Sequence, residues 1–239
     1  MNTEPRVRPS PVDAPEPFRW WLLAGVWLLY MAFGLVATSL APLVLIIEQD
    51  LNISHAQMGS VMGVWQLVYI FAALPCGVLL DRLGARYALL LGGLLIAASA
   101  FARSLALDYW GLLFAVMLFG LGGPIVSSGA PKVITTLFTG RDRGFAMGIY
   151  MTGPALGGVV ALTLTHSVFL PGLGGDWRGL VQLWAGFCIA ATVIWFALAS
   201  WRRRALQDSA PVDAVASGSE QEPPPGVRAL LSIPAVPVV

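Results

Sequence analysis

The side chains in this chain of 239 residues that could do chemistry are few, and most are polar groups set inside long apolar runs. Lys132 is the one lysine, and Ser128 stands four positions before it, so a helix would carry both on one face. Tyr30, Gln66 and Tyr150 are further hydrogen-bonding groups within apolar runs, as are Thr38, Ser39, Ser127, Thr152 and Gln182. Such a set suits noncovalent recognition of a small solute. Bond-making chemistry lacks its parts: no nucleophile has a base at hand, and the chain is not expected to be an enzyme. No Asp or Glu falls in the middle of an apolar run, so no carboxylate is offered for proton coupling there. His55 and His166 lie near the ends of runs, where a surface or capping role is expected. Cys76 and Cys188 sit in apolar stretches with no disulfide or metal-ligand spacing, and neither a metal nor a cofactor is implied.

The elements that must position these groups are membrane helices. Hydrophobic residues make up 57% of the chain and charged ones 11%, against roughly 25% charged in soluble domains. The net charge of +1 and the lack of a basic patch interleaved with aromatics exclude nucleic acid as a partner. Crossing a bilayer takes about 20 residues at 1.5 Å each. Six runs are long enough, near residues 20–47, 57–80, 87–107, 109–138, 145–168 and 179–201. The first is too long for the core of a signal peptide and is read as an uncleaved span. Ser54 to Gln57 has the capping-box pattern, and Asp108 and Asp176 stand where N-caps belong.

Between the second and third runs, Gly77, Asp81, Arg82, Gly84 and Arg86 spell Gly-x-x-x-Asp-Arg-x-Gly-x-Arg. The three charges cannot stay in hydrocarbon and pin a tight turn at the membrane surface, where Gly84 supplies a permissive backbone. Gly77 presents no side chain and lets another helix approach. This spacing resembles the signature of the loop between the second and third helices of the major facilitator superfamily of transporters. The resemblance implies the amino-terminal half of that fold: an all-α integral membrane protein of six transmembrane helices in two inverted three-helix repeats. It also implies alternating access, a gating role for the motif, and a latch from Asp81 to a helix of the opposite half. The first and fourth helices of each half line the family's cavity, which makes Tyr30, Ser128 and Lys132 candidates for solute contact, with Gln66 and Tyr150 beside them. Lys132 lies toward one end of its helix, and two readings stand: a snorkelling surface lysine, or a cation in the cavity mouth that favours an anionic solute.

On the fifth run, Gly148, Gly153, Pro154, Gly157 and Gly158 resemble part of the family's fifth-helix motif. Pro154 removes a backbone hydrogen bond and the glycines remove side chains, so the segment could pivot or hold a static kink against a neighbour. The stretch of residues 120–148 is similar to bacterial anion porters of the cyanate and nitrate-nitrite type. An offset of 89 positions takes Trp21 to Trp110 and residues 58–62 to 147–151, and each run lands on a run. Three runs separate the copies, which is the inverted arrangement.

Twelve of the 14 Lys and Arg residues fall on the side of the motif loop, and only Arg103 and Arg178 on the other. The positive-inside rule then puts both termini in the cytoplasm, and the composition suggests a bacterial inner membrane. The expected organisation is a disordered cytoplasmic arm over residues 1–18, the bundle over 19–201, a Pro/Ser/acidic linker over 202–226, and the start of a truncated second half over 227–239. The function expected is transport of a small solute, possibly an anion, with the lipid bilayer and a second six-helix half as partners, whether the chain's own copy or a separate chain. The alternatives are a truncated, non-transporting fragment and a membrane scaffold or sensor.

Overall fold

In the computed structural model the described residues are 16–208. The expected linker over 202–226 falls mostly outside them, and the expected second-half start over 227–239 wholly so. Residues 1–15 of the expected arm also lie outside, while Glu16 already begins a helix. The described chain is all helical: α1 (Glu16–Thr38), a 3-10 turn (Ala41–Leu43), α2 (Val44–Leu51), α3 (His55–Ser104), α4 (Tyr109–Leu137), α5 (Gly140–Leu164), a π turn (Thr165–Phe169), α6 (Leu170–Gly172) and α7 (Trp177–Asp208). Five helical stretches among the described residues are long and apolar enough to cross a membrane, one of them the 50-residue α3.

Local chemistry explains the boundaries. The first apolar run does not form one rod, because Pro42 has no N–H to offer the Thr38 carbonyl one turn back. The Thr38 and Ser39 hydroxyls turn onto the carbonyls of Gly34 and Val36 at 2.9 Å each, and helix resumes at Val44. Asn52 closes α2 in the left-handed region at φ 50°. Ser54 and Gln57 form the anticipated capping box of α3. The Asp108 carboxylate accepts from Gly111 N at 2.7 Å, and Asp176 accepts from Arg178 N at 2.9 Å.

One residue of α3 is not helical. Gly84 has φ 73° and ψ 158°, a region essentially reserved for glycine. The chain turns back there, as the neighbours along α4 show. Gly129 of α4 faces both Leu80 and Leu89, whereas Gly120, farther along, faces Trp65 and Val68 of the first arm. Gly122 faces Leu95 and Ile96 of the second arm. Both arms therefore run away from Gly84 along the same helix. A Gly84→Val substitution should cost about 1–3 kcal/mol in backbone strain and lower the melting temperature in detergent. Gly77→Ala, where an added Cβ meets nothing within 4 Å, should hold it or raise it slightly through helix propensity.

Packing gathers α1 against α5 and α7, and α3 against α4 and α7. The core is aliphatic and aromatic, with Leu29, Leu35, Ile96, Leu112, Phe119 and Phe138 fully buried. Ile70, Phe71, Leu74, Phe101 and Leu162 point outward from the bundle.

Candidate functional site

The middle of the bundle carries a row of rings contributed by four elements. Tyr150 of α5 stacks on Tyr30 of α1 with centroids 5.4 Å apart, and Tyr30 stacks on Phe33 at 5.5 Å. Phe33 stacks on Phe119 of α4 at 5.3 Å, and Phe119 meets Trp65 of the first arm of α3 edge-on at 5.3 Å. Trp65 then meets Tyr69 edge-on at 6.2 Å, and the Tyr69 hydroxyl bonds Ser127 Oγ of α4 at 2.6 Å. Stacked and edge-on rings fix one another's orientation, and the phenols add polar tips to an apolar wall. Beside the row, Trp27 Nε1 donates to Thr152 Oγ1 at 2.9 Å. The sequence candidates Tyr30 and Tyr150 are thus brought together. Gln66 and Ser128 are exposed and make no hydrogen bond among the described residues.

Behind the row, α1 and α5 touch backbone to backbone. A Cβ at Gly157 would stand 2.1 Å from the Met31 carbonyl oxygen, one at Gly153 2.9 Å from that of Trp27, and one at Gly34 2.2 Å from that of Pro154. Gly158 lies over Thr38 at 3.6 Å. Most of the fifth-helix glycines therefore serve close approach. Gly148 does not: its added Cβ meets nothing. Helix α5 continues through Pro154 to Leu164.

At the motif end of the bundle, Lys132 Nζ donates to Asp81 Oδ1 at 2.6 Å, so the lone lysine meets the motif carboxylate. The pair is open to solvent, with the side chains 41% and 75% exposed. Arg86 turns inward, donating from Nη2 to Ser200 Oγ of α7 at 2.6 Å, while Arg82 is exposed. Arg19 of α1 pairs with Asp142 of α5 at 2.8 Å.

The opposite end holds a residue that the sequence reading placed among surface charges. Arg103 is only 2% exposed. Its Nη1 donates to the Val36 carbonyl at 2.9 Å and to Ser39 Oγ at 3.2 Å, with the Phe119 ring 5.4 Å from the guanidinium. The cation therefore grips the last turn of α1, where the negative end of the helix dipole lies. No carboxylate among the described residues pairs with it. An arginine inside the apolar run of residues 87–107 was the available signal. Nearby, Arg178 pairs with Asp50 and donates to the Ala106 carbonyl at 2.7 Å, and His166 meets the Pro42 carbonyl at 2.6 Å. These three contacts tie the α1–α2 joint, the end of α2 and the loop after α3 to the rest of the bundle.

Comparison with known proteins adds to this geometry. The family model for the Major Facilitator Superfamily matches residues 26–236. The chain is 27% identical over 161 residues to a probable L-galactonate transporter of Escherichia coli (strain K12), covering 67% of this chain and 35% of that protein. It is 24% identical over 178 residues to the hexuronate transporter of Bacillus subtilis (strain 168), covering 74% and 42%. A crystal structure of a bacterial homolog to the human lysosomal transporter Spinster, inward-facing and unoccupied, superposes with a TM-score of 0.71 at 20% identity. That match covers 77% of this chain and 44% of the other. The chain spans about two fifths of the length of the curated relatives it matches.

Proposed function

This chain belongs to the Major Facilitator Superfamily, and we propose that it forms the amino-terminal six-helix half of a secondary transporter moving a small carboxylate-bearing solute by alternating access. The observation that carries the reading is the ring row from Tyr150 through Tyr30 and Phe33 to Phe119. It joins the helices that line the family's cavity and offers phenol donors against an apolar wall. The relatives named for L-galactonate and hexuronate support an anionic sugar acid as the solute class.

Counting the two arms of α3 separately gives six spans, and the contacts support the inverted repeat. Gly157 presses on Met31, and Gly120 presses on Val68. Met31 and Gly120 are 89 positions apart, and so are Val68 and Gly157. The same pair of positions thus meets twice, once between the first and fifth spans and once between the fourth and second. Arg19, Arg82, Arg86, Lys132, Arg141 and Arg143 belong to the motif end, which the positive-inside rule assigns to the cytoplasm of a bacterial inner membrane. The second half, whether a further copy or another polypeptide, fits the faces where Gly59, Gly63, Gly77, Gly144 and Gly148 leave open space.

Uptake of labelled galactonate into proteoliposomes, read beside the oligomer size in detergent, tests this function. A dimer with saturable uptake, lost on Tyr30→Ala, is the expected result. A monomer with no flux, alone or beside a candidate second half, overturns it.

A further inference from the structure

At the motif end, away from the ring row, a cavity of about 140 Å³ opens between α1, α3, α4 and α7. Leu22, Arg86, Thr136, Leu137 and Trp195 are among its walls. Two of these residues carry donors that nothing among the described residues accepts. Arg86 Nε and Trp195 Nε1 are buried without a hydrogen-bond partner there, and Trp195 is 2% exposed. Buried N–H groups are paired in nearly all native structures, so two orphans around one cavity mark a missing acceptor.

The charge around the cavity points the same way. Besides its bond to Ser200 Oγ, the Arg86 guanidinium lies against the rings of Tyr87 at 5.0 Å and Phe196 at 4.7 Å. Rings and a hydroxyl do not neutralise a cation, and no carboxylate among the described residues comes within ion-pair distance of it. Thr136, its proton spent on the Val133 carbonyl at 2.7 Å, offers one acceptor oxygen against these two donors and the cation. Donors and positive charge are therefore in excess, and a planar guanidinium suits the oxygens of an anion. The volume is several times the roughly 30 Å³ that one water takes in the liquid, so a tetrahedral oxyanion fits with a water beside it.

We propose that this cavity is a phosphate-binding site on the motif end of the bundle, held by Arg86 and the Trp195 indole N–H, distinct from the solute path. Occupation ties the second arm of α3, just past the Gly84 turn, to α7. A free phosphate ion and a phospholipid headgroup present the same chemistry. The site does not depend on the transport reading, because binding is measured without flux.

The test uses the purified full chain. In neutral detergent, the melting temperature is followed against inorganic phosphate, with sodium chloride at matched ionic strength as the control. In nanodiscs, phosphatidylcholine alone is compared with phosphatidylcholine plus phosphatidylglycerol. A phosphate-specific rise in detergent identifies the free ion, and a rise only with phosphatidylglycerol identifies the headgroup; either supports the site. Trp195→Phe keeps the ring and deletes the N–H, while Arg86→Lys keeps the charge and deletes Nε. Each should weaken the apparent affinity by about tenfold, the loss of one hydrogen bond to a charged partner. Phosphorus NMR line broadening on the wild-type chain reads binding without any variant. The proposal fails if neither probe shifts the melting temperature nor broadens the phosphorus line, or if both variants respond as wild type does.

Discussion

Gly157→Ala, a gain of one methyl group, is expected to unfold or strongly destabilise the bundle. The new Cβ would stand 2.1 Å from the Met31 carbonyl oxygen and 2.7 Å from Leu35 N, and both are backbone atoms that no rotamer change can move. Relief requires α1 and α5 to part along their contact, which breaks the apposition at Gly153 and Gly34 as well. The cost is about 3 kcal/mol or more, the upper end of overpacking. Gly34→Ala attacks the same seam from the other side, 2.2 Å from the Pro154 carbonyl oxygen, and should behave alike. Together the two should cost less than their sum, since helices parted by the first methyl have room for the second. Gly148→Ala supplies the contrast. Its Cβ meets nothing, so only helix propensity acts, and stability should rise by up to about 1 kcal/mol. Thermal unfolding and gel-filtration profiles in detergent read all four. A Gly157→Ala protein that melts at or above wild type would remove the seam from the account.

Much of this architecture was legible in sequence because its signals are local. The capping box at Ser54, the cap at Asp108 and the turn at Gly84 each need only a few adjacent residues to specify them. What escaped depends on which helices lie side by side. Lys132 reads as a free cation in sequence, yet the packing of α3 on α4 brings Asp81, 51 positions earlier, to it. Arg103 reads as an outer charge until the last turn of α1 is seen to wrap over it. The ring row is not legible in sequence, because Phe33, Trp65 and Phe119 read as ordinary core until their helices lie side by side, although Tyr30 and Phe119 stand at the repeat offset of 89. The first span reads as one straight run, though Pro42 already carried the reason for its break.

The Asp81–Lys132 pair should matter far more to transport than to folding. Both side chains are well exposed, and an exposed ion pair contributes about 0–1 kcal/mol, so Asp81→Asn should barely change the melting temperature. In the proposed cycle the pair fixes the Gly84 turn to α4 in one of two arrangements. Losing it should shift the balance between the two states by up to about 1 kcal/mol, which cuts uptake by up to about fivefold. Asp81→Lys and Lys132→Asp should each lose uptake, and the double exchange should regain it if the two residues act on each other. Asp81 has a second candidate partner, the positive end of a helix dipole in the opposite half. That partner cannot accept a lysine, so the double exchange would then stay inactive, while Lys132→Met would keep uptake. Rescue by exchange places the switch inside this chain. Failure of rescue with an active Lys132→Met places it at the contact between halves. Full uptake by Asp81→Asn would deny the motif carboxylate either role.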